Sequence, residues 1–183
     1  MIFFLADPLE PLYPLCHLEA EAIARRAAER GIPVLNPPDR LSETAKSRQT
    51  RRWREAGLPT PPCRPVRRRE DLWAAVERFG LPLVLRSELE HAQKGLAVCR
   101  SREELEAAYP AGAWMAATPF VDVRATYRSA DPADWKTEVE HPGLWHRYHH
   151  KQRAYVVGGE VVPFHLFFSE EPAVSMASSL YGP

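Results

Sequence analysis

The chain has 183 residues, with 24 Lys and Arg set against 24 Asp and Glu, and 45% of it is apolar. This is an ordinary composition for a soluble globular protein with a core to bury, and no apolar run approaches the ~18 residues a membrane helix needs. Cys16, Cys63 and Cys99 lie far apart with no Cys-x-x-Cys pair, which argues for a reducing cytoplasm and against a zinc site.

Met1 to Ala6 is apolar but short, lacks a basic leader and meets Asp7-Pro8 at once. It reads as a buried strand rather than a signal peptide, ended by the Pro-rich stretch Asp7 to Pro11. Leu15, Leu18, Ala22, Ile23 and Ala27 then recur at helical spacing over 15–30, and Gly31 is a natural C-cap. Ile32 to Leu35 is extended again. Strand, helix and strand in such a short stretch predict a βαβ unit with parallel pairing.

Asn36-Pro37-Pro38-Asp39 breaks that unit. A second helix is predicted over 42–56, N-capped by Ser42 or Thr44 and stopped at Gly57. Cys63 to Val66 reads as a short strand, and a third helix over 70–79 carries Leu72, Trp73, Val76 and Phe79 as its apolar stripe. Residues 82–100 hold two short apolar runs joined by a polar loop that closes on Lys94-Gly95, which predicts a hairpin. Ser101 and Glu104 have the form of a capping box for a helix over 103–109. Trp114 to Val123 is an apolar run interrupted by Pro119, and 129–150 is an irregular loop or insertion. Two β-branched and aromatic runs, Arg153 to Val157 and Glu160 to Phe168, flank Gly158-Gly159 as a second hairpin, and the tail from Ala173 is expected to fray.

The first hairpin concentrates chemistry. Arg86 ends one strand, and Lys94 and Gly95 open the next. A flexible cationic loop of this kind can fold over a polyphosphate, with Lys94 as a point charge and Gly95 letting the backbone approach closely. The plain alternative is a surface ribbon whose charges are solvated.

The order of motifs then carries a resemblance. Asn36-Pro37-Pro38 is followed by Lys46 in a helix, Ala56 to Pro61, Gly80 to Arg86, Lys94-Gly95-Leu96, Ser101 to Leu105, Pro119 to Asp122, and Arg153 to Gly159. This succession resembles the ATP-grasp superfamily of glutathione-synthetase-like proteins over roughly residues 30–168. The fold class it implies is α/β to α+β. Residues 1–41 would be a partial βαβ segment, 42–112 a small lobe with the phosphate-loop hairpin, and 113–183 the start of a second antiparallel lobe.

The resemblance implies ATP and Mg²⁺ as cofactors, with nucleotide held between two antiparallel lobes. Lys46 would reach the phosphates from its helix, Arg86 stands where such proteins usually have lysine, and Lys94 and Gly95 would cover the phosphates. Thr118, Pro119, Phe120 and Val121 would present backbone to the adenine, and Asp122 would meet the ribose. Arg153 is implied as the catalytic cation on the transferring phosphoryl group. The substrates implied are a small carboxylate and an amine or thiol, joined through an acyl phosphate. The loop from Ser87 to Lys94 lacks the expected glycines, and Glu88 and Glu90 would repel a triphosphate if they pointed inward. No acid and Glu-x-Asn pair for magnesium follows Phe168, where only Glu170-Glu171 stands, so no metal ligand is assigned. The expectation is a fragment or decayed copy of a larger ligase, inactive by itself, in which an oligomer is compatible with the sequence.

Two other constellations compete for attention. Arg40, Lys46, Arg48, Arg51, Arg52, Arg54, Arg64, Arg67, Arg68 and Arg69 face only Glu43 and Glu55 across 40–69. That balance offers the alternative of a non-catalytic basic module for nucleic acid or a partner, with Trp53 as a stacking surface, although no recognised nucleic-acid module accompanies it. His141, His146, His149 and His150 cluster without the carboxylate or cysteine that would complete a metal site.

Overall fold

A computed structural model describes residues 2–3, 9–90, 95–124, 126–127, 138–139, 147–157 and 159–174. The predicted βαβ unit is there: β1 (Ile2–Phe3) pairs in parallel with β2 (Val34–Leu35) across the helix α2 (Pro14–Glu29). Two details differ. A one-turn helix, α1 (Leu9–Leu12), occupies part of the stretch expected only to end the strand. Of the apolar stripe expected on α2, Ala27 is buried, whereas Leu15, Leu18 and Ile23 are exposed.

A 3₁₀ segment over Pro38–Thr44 leads into α3 (Lys46–Glu55), so the helix begins later than Ser42 or Thr44. Thr44 spends its hydroxyl on the Leu41 carbonyl at 2.6 Å, and Ala45, which has no capping oxygen, sits at the N-cap. The cap comes from elsewhere in the chain.

The centre of the molecule is a four-stranded antiparallel sheet in the order β3 (Arg64–Val66), β6 (Met115–Pro119), β4 (Leu83–Ser87), β5 (Ala97–Cys99). Cross-strand partners share a face, so the register separates the sheet into two surfaces. Leu83 with Cys99, Leu85 with Ala97 and Ala117, and Val66 with Met115 point to one side. There they pack under α4 (Arg69–Phe79) and α5 (Arg102–Ala108) with Leu72, Ala75 and Leu105, all three fully buried. The opposite face carries Val84, Val98, Thr118, Arg86 and Ala116.

Local signals account for both covering helices. Asp71 accepts the backbone N–H groups of Arg67 and Arg68 at 2.9 and 3.0 Å, which holds the first turn of α4. Ser101 accepts the Glu104 N–H at 3.2 Å, one half of the capping box expected from their spacing, whereas the Glu104 carboxylate takes the N–H of Arg100, one residue before the N-cap, at 2.6 Å. Gly95, just before β5, has φ +62°, and a Cβ there would stand 3.5 Å from Ser87 Cβ. Gly95→Ala should therefore cost about 1 kcal/mol, the penalty of placing an L-residue in left-handed backbone, read from a urea unfolding curve.

Beyond the sheet, β7 (Thr126–Tyr127) pairs with β8 (Glu138–Val139), so the stretch expected to be irregular includes strand residues. A long ribbon follows. β9 (His149–Val157) and β10 (Glu160–Ser169) pair antiparallel with an irregularity between Pro163 and His165, and both run further than the sequence predicts. Its base is buried at His149, Phe167 and Ser169, while Val156 and Val161 near the turn are 73% and 67% exposed. No helix among the described residues is long and apolar enough to cross a membrane.

Candidate functional site

Glu88 is the most constrained charged residue at the end of β4. Only 1% exposed, it takes the Ser47 N–H on both carboxylate oxygens at 3.3 Å, and the Ser47 hydroxyl also donates to it. Its own carbonyl accepts the Lys46 N–H at 3.1 Å, and its N–H donates to the Trp114 carbonyl at 2.8 Å. Glu88 thus caps α3 from forty-one residues away and ties it to the ends of β4 and β6. A carboxylate at a helix N-terminus meets the positive end of the backbone dipole, which compensates a charge that burial would otherwise penalise. The repulsion of phosphate expected from Glu88 is corrected here, because its carboxylate is spent on the helix. Glu90 is exposed, its N–H donated to the Ser87 hydroxyl at 3.3 Å.

Lys46 opens α3 beside this contact. Arg86, two residues before Glu88, is part-buried on the face of the sheet opposite α4 and α5, and its buried Nε has no hydrogen-bond acceptor among the described residues. Cys63 lies within electrostatic reach of both Arg86 and Glu88. Burial, first of all, pushes its thiol up to about 11, with the Glu88 charge adding to the rise and Arg86 opposing it. So Cys63 is a protonated packing residue rather than a nucleophile.

The proposed adenine side lies at the end of β6. Thr118 is opposite Val84, and the chain then leaves the sheet through Phe120, whose N–H donates to the Pro82 carbonyl at 3.0 Å. Val121 follows, part-buried. Asp122 is gripped by Arg124 through contacts of 2.9, 3.1 and 2.5 Å, and this guanidinium holds its carboxyl below the usual carboxylate range. The pair was not anticipated, although its i, i+2 spacing was visible.

His149, at the start of β9, joins the ribbon to that turn. Its Nδ1 is 3.7 Å from Asp122 Oδ1, and its ring stands 6.3 Å from that of Phe120. Burial lowers the His149 pKa most, Arg124 and His150 add to this, and Asp122 and Glu171 oppose it. The folded protein therefore resists a proton that the unfolded chain accepts near pH 6.5. Stability should be full above that pH and fall on acidification toward the lower folded pKa, and His149→Gln should flatten the fall in urea curves run across this range.

Arg153 is mid-strand in β9 rather than at its start, exposed, with its guanidinium 5.5 Å from the centre of the Phe167 ring. On the same face of the strand, two residues earlier, is Lys151, which the sequence reading passed over. Lys151 is part-buried and held below the usual lysine range, first by burial, then by Arg153 and by Arg86. Its period-2 relation to Arg153 was legible. Its meeting with Arg86, from another sheet, was not. Of the residues singled out from sequence, then, Arg86 and Arg153 each act electrostatically on Lys151, Thr118, Phe120, Val121 and Asp122 run through the end of β6 and the turn after it, and Lys46 starts α3. Gly95 supports the hairpin, and Lys94, with His141 and His146, lies outside the described residues.

Several charges of the 40–69 stretch are met locally. Arg52 pairs with Glu43 at 2.8 Å, Arg69 with Glu106 at 3.6 Å, Arg54 donates to the Thr60 carbonyl at 2.7 Å, and Arg67 stacks 3.8 Å from the centre of Trp114. Arg48, Arg51, Arg54 and Arg78 also border a groove of about 440 Å³ together with Thr50 and Cys63.

No protein-family model and no curated protein matches the sequence. The structure does have relatives. It is similar to N5-carboxyaminoimidazole ribonucleotide synthetase from Thermus thermophilus, at 25% identity and a TM-score of 0.51, over 82% of this chain and 35% of that one. It is also similar to N5-carboxyaminoimidazole synthetase from Staphylococcus aureus, solved with ADP, at 10% identity and a TM-score of 0.56, over 86% of this chain and 37% of that one. The chain carries part of an ATP-grasp fold. It spans about a third of the length of these two solved proteins. Among the described residues, no group of three or more His, Cys, Asp or Glu side chains is placed to hold a metal ion. Near the end of the ribbon, Glu171 contributes a backbone N–H to the Ser169 hydroxyl at 3.0 Å.

Proposed function

We propose that the chain binds ATP on the face of the β3-β6-β4-β5 sheet opposite α4 and α5, with the triphosphate at Arg86 and the adenine at the turn from Thr118 to Val121. The observation that carries this reading is Arg86 itself. Its buried Nε meets no acceptor among the described residues, on a face otherwise lined by Val84, Val98, Ala116 and Thr118. A part-buried cation left without a counter-charge carries a desolvation cost that an arriving anion offsets. The aliphatic side chains beside it suit a flat base better than a bare inorganic ion does. Asp122, fixed by Arg124, keeps lone pairs for a sugar hydroxyl.

The reaction class that accompanies this fold is transfer of a phosphoryl group from ATP to a carboxylate, followed by attack of an amine or thiol on the acyl phosphate. In this reading Arg153 is the cation on the transferring group, and Lys46, Lys94 and Gly95 are assigned to the phosphate side. The protein's working compartment in this reading is the cytoplasm.

Thermal unfolding with ATP tests the proposal, with and without Mg²⁺. At about 5 mM ATP even a Kd near 1 mM stabilises by ~1 kcal/mol. No shift under either condition sinks the nucleotide reading. A short single-stranded oligonucleotide that binds with a steep salt dependence instead transfers the function to the arginines of 40–69.

A further inference from the structure

We propose that Lys151 is a phosphate-binding residue contributed by the ribbon, closing with Arg86 and Arg153 a three-cation clamp on the terminal phosphates of the bound polyphosphate. The inference rests on the ATP reading of the cleft and deepens it.

The placement follows from the strand. Successive side chains of β9 alternate, so His149, Lys151 and Arg153 project from one face. His149 is anchored at the turn beside Phe120 and Asp122, 4% exposed, which sets where the strand begins. Phe167 is opposite Lys151 in the register and buried, and the Arg153 guanidinium lies over the same ring. One aromatic platform therefore carries the stems of both cations. Arg86, on β4, is within electrostatic reach of Lys151, and its charge and that of Arg153 both depress the protonation of Lys151.

Among the described residues no carboxylate forms an ion pair with Lys151, Arg86 or Arg153. The nearest acid in sequence to Arg86 is Glu88, and its carboxylate is committed to Ser47 at the head of α3. Cys63, the other titratable group facing Arg86, is a neutral thiol. Lys151 is part-buried, and the charges within its electrostatic reach are cations. Three cations from two separate sheets, with no such carboxylate, cost free energy until a multiply charged anion lies among them. Lysine also complements the arginines, since a compact ammonium adds a point charge where two planar guanidinium forks are already present.

A proton follows the ligand. An anion beside Lys151 raises its affinity for a proton, so polyphosphate binding at alkaline pH must take up a fraction of a proton from solution. Calorimetry of the whole chain at pH 7 and pH 9, in buffers of different ionisation enthalpy, measures both affinity and proton uptake. ATP and inorganic tripolyphosphate are the two affinity probes, and proton uptake is read with ATP, whose terminal phosphate has lost its last proton well below pH 9.

The expected result is a loss of about tenfold to a hundredfold in affinity for both probes in Lys151→Met, the effect of one charge-assisted contact. Lys151→Arg should restore the affinity. Proton uptake at pH 9 should be present in the wild type and lost in both variants, a signature that packing alone does not produce. The wild-type uptake is read without any variant, so it stands even if Lys151→Met folds poorly. Wild-type affinity in Lys151→Met, or no proton uptake by the wild type, overturns the clamp while leaving ATP binding intact. Binding of tripolyphosphate without ATP overturns the nucleotide reading and leaves the clamp to be judged on that probe. Binding of neither overturns both.

Discussion

Glu88→Ala is expected to lower the unfolding free energy by about 3 kcal/mol, among the larger losses available to a single residue of this chain. The substitution removes the acceptor of the Ser47 N–H and hydroxyl and leaves the first turn of α3 without a cap, since Ala45 supplies none. Loss of a cap alone costs about 1 kcal/mol, and orphaning a buried hydroxyl adds a similar or larger amount. Urea unfolding of Glu88→Ala, Ser47→Ala and the double variant measures it. The two sites share one contact, so the double variant should lose much less than the sum. Strict additivity would mean that Glu88 holds something other than the head of α3. Glu88→Gln, which keeps an acceptor but not the charge, should lie between the wild type and alanine.

Arg86→Met should do the reverse: weaken ATP binding by about tenfold to a hundredfold while leaving the ligand-free protein as stable as the wild type, or more so. The reason is that Arg86 faces Lys151 and an unmet Nε rather than an acid, so removing its charge relieves repulsion and desolvation together. Methionine keeps most of the stem's apolar contact with the sheet. Titration by calorimetry and a urea curve on the same sample provide the two numbers. Arg86→Lys should recover part of the affinity, because it returns the charge without the planar fork. A variant that binds ATP normally, or one that loses several kcal/mol without ligand, would remove Arg86 from the site and make it a structural cation.

Both expectations come from contacts that join distant parts of the chain, and this marks the limit of what was legible beforehand. The N-cap at Ser101, the glycine after α2 and the stripe of α4 are local patterns, and each forms where its spacing indicates. The family resemblance was likewise carried by the order of short motifs, and the four-stranded sheet with its solved relatives bears it out. Glu88 looked like a liability in a phosphate loop because sequence does not reveal that α3 arrives without a cap of its own. Lys151 was overlooked for the same reason: nothing within β9 announces an arginine from β4 across the cleft. On α2, helical periodicity located the helix but not its cover, since Leu15, Leu18 and Ile23 satisfy the spacing and are nonetheless exposed.

The ribbon has one further consequence. Two strands alone are marginally stable, and β9–β10 is buried at its base by His149, Phe167 and Ser169 but bare toward the turn. It is a cantilever, clamped at the hinge and unsupported at its tip. Lys151 sits near the clamped end, where bending displaces a side chain least, and Arg153 follows at mid-strand. An anion gripped there is held by the stiff part of the beam, and whatever motion the tip makes does not have to be stopped before the phosphates are bound.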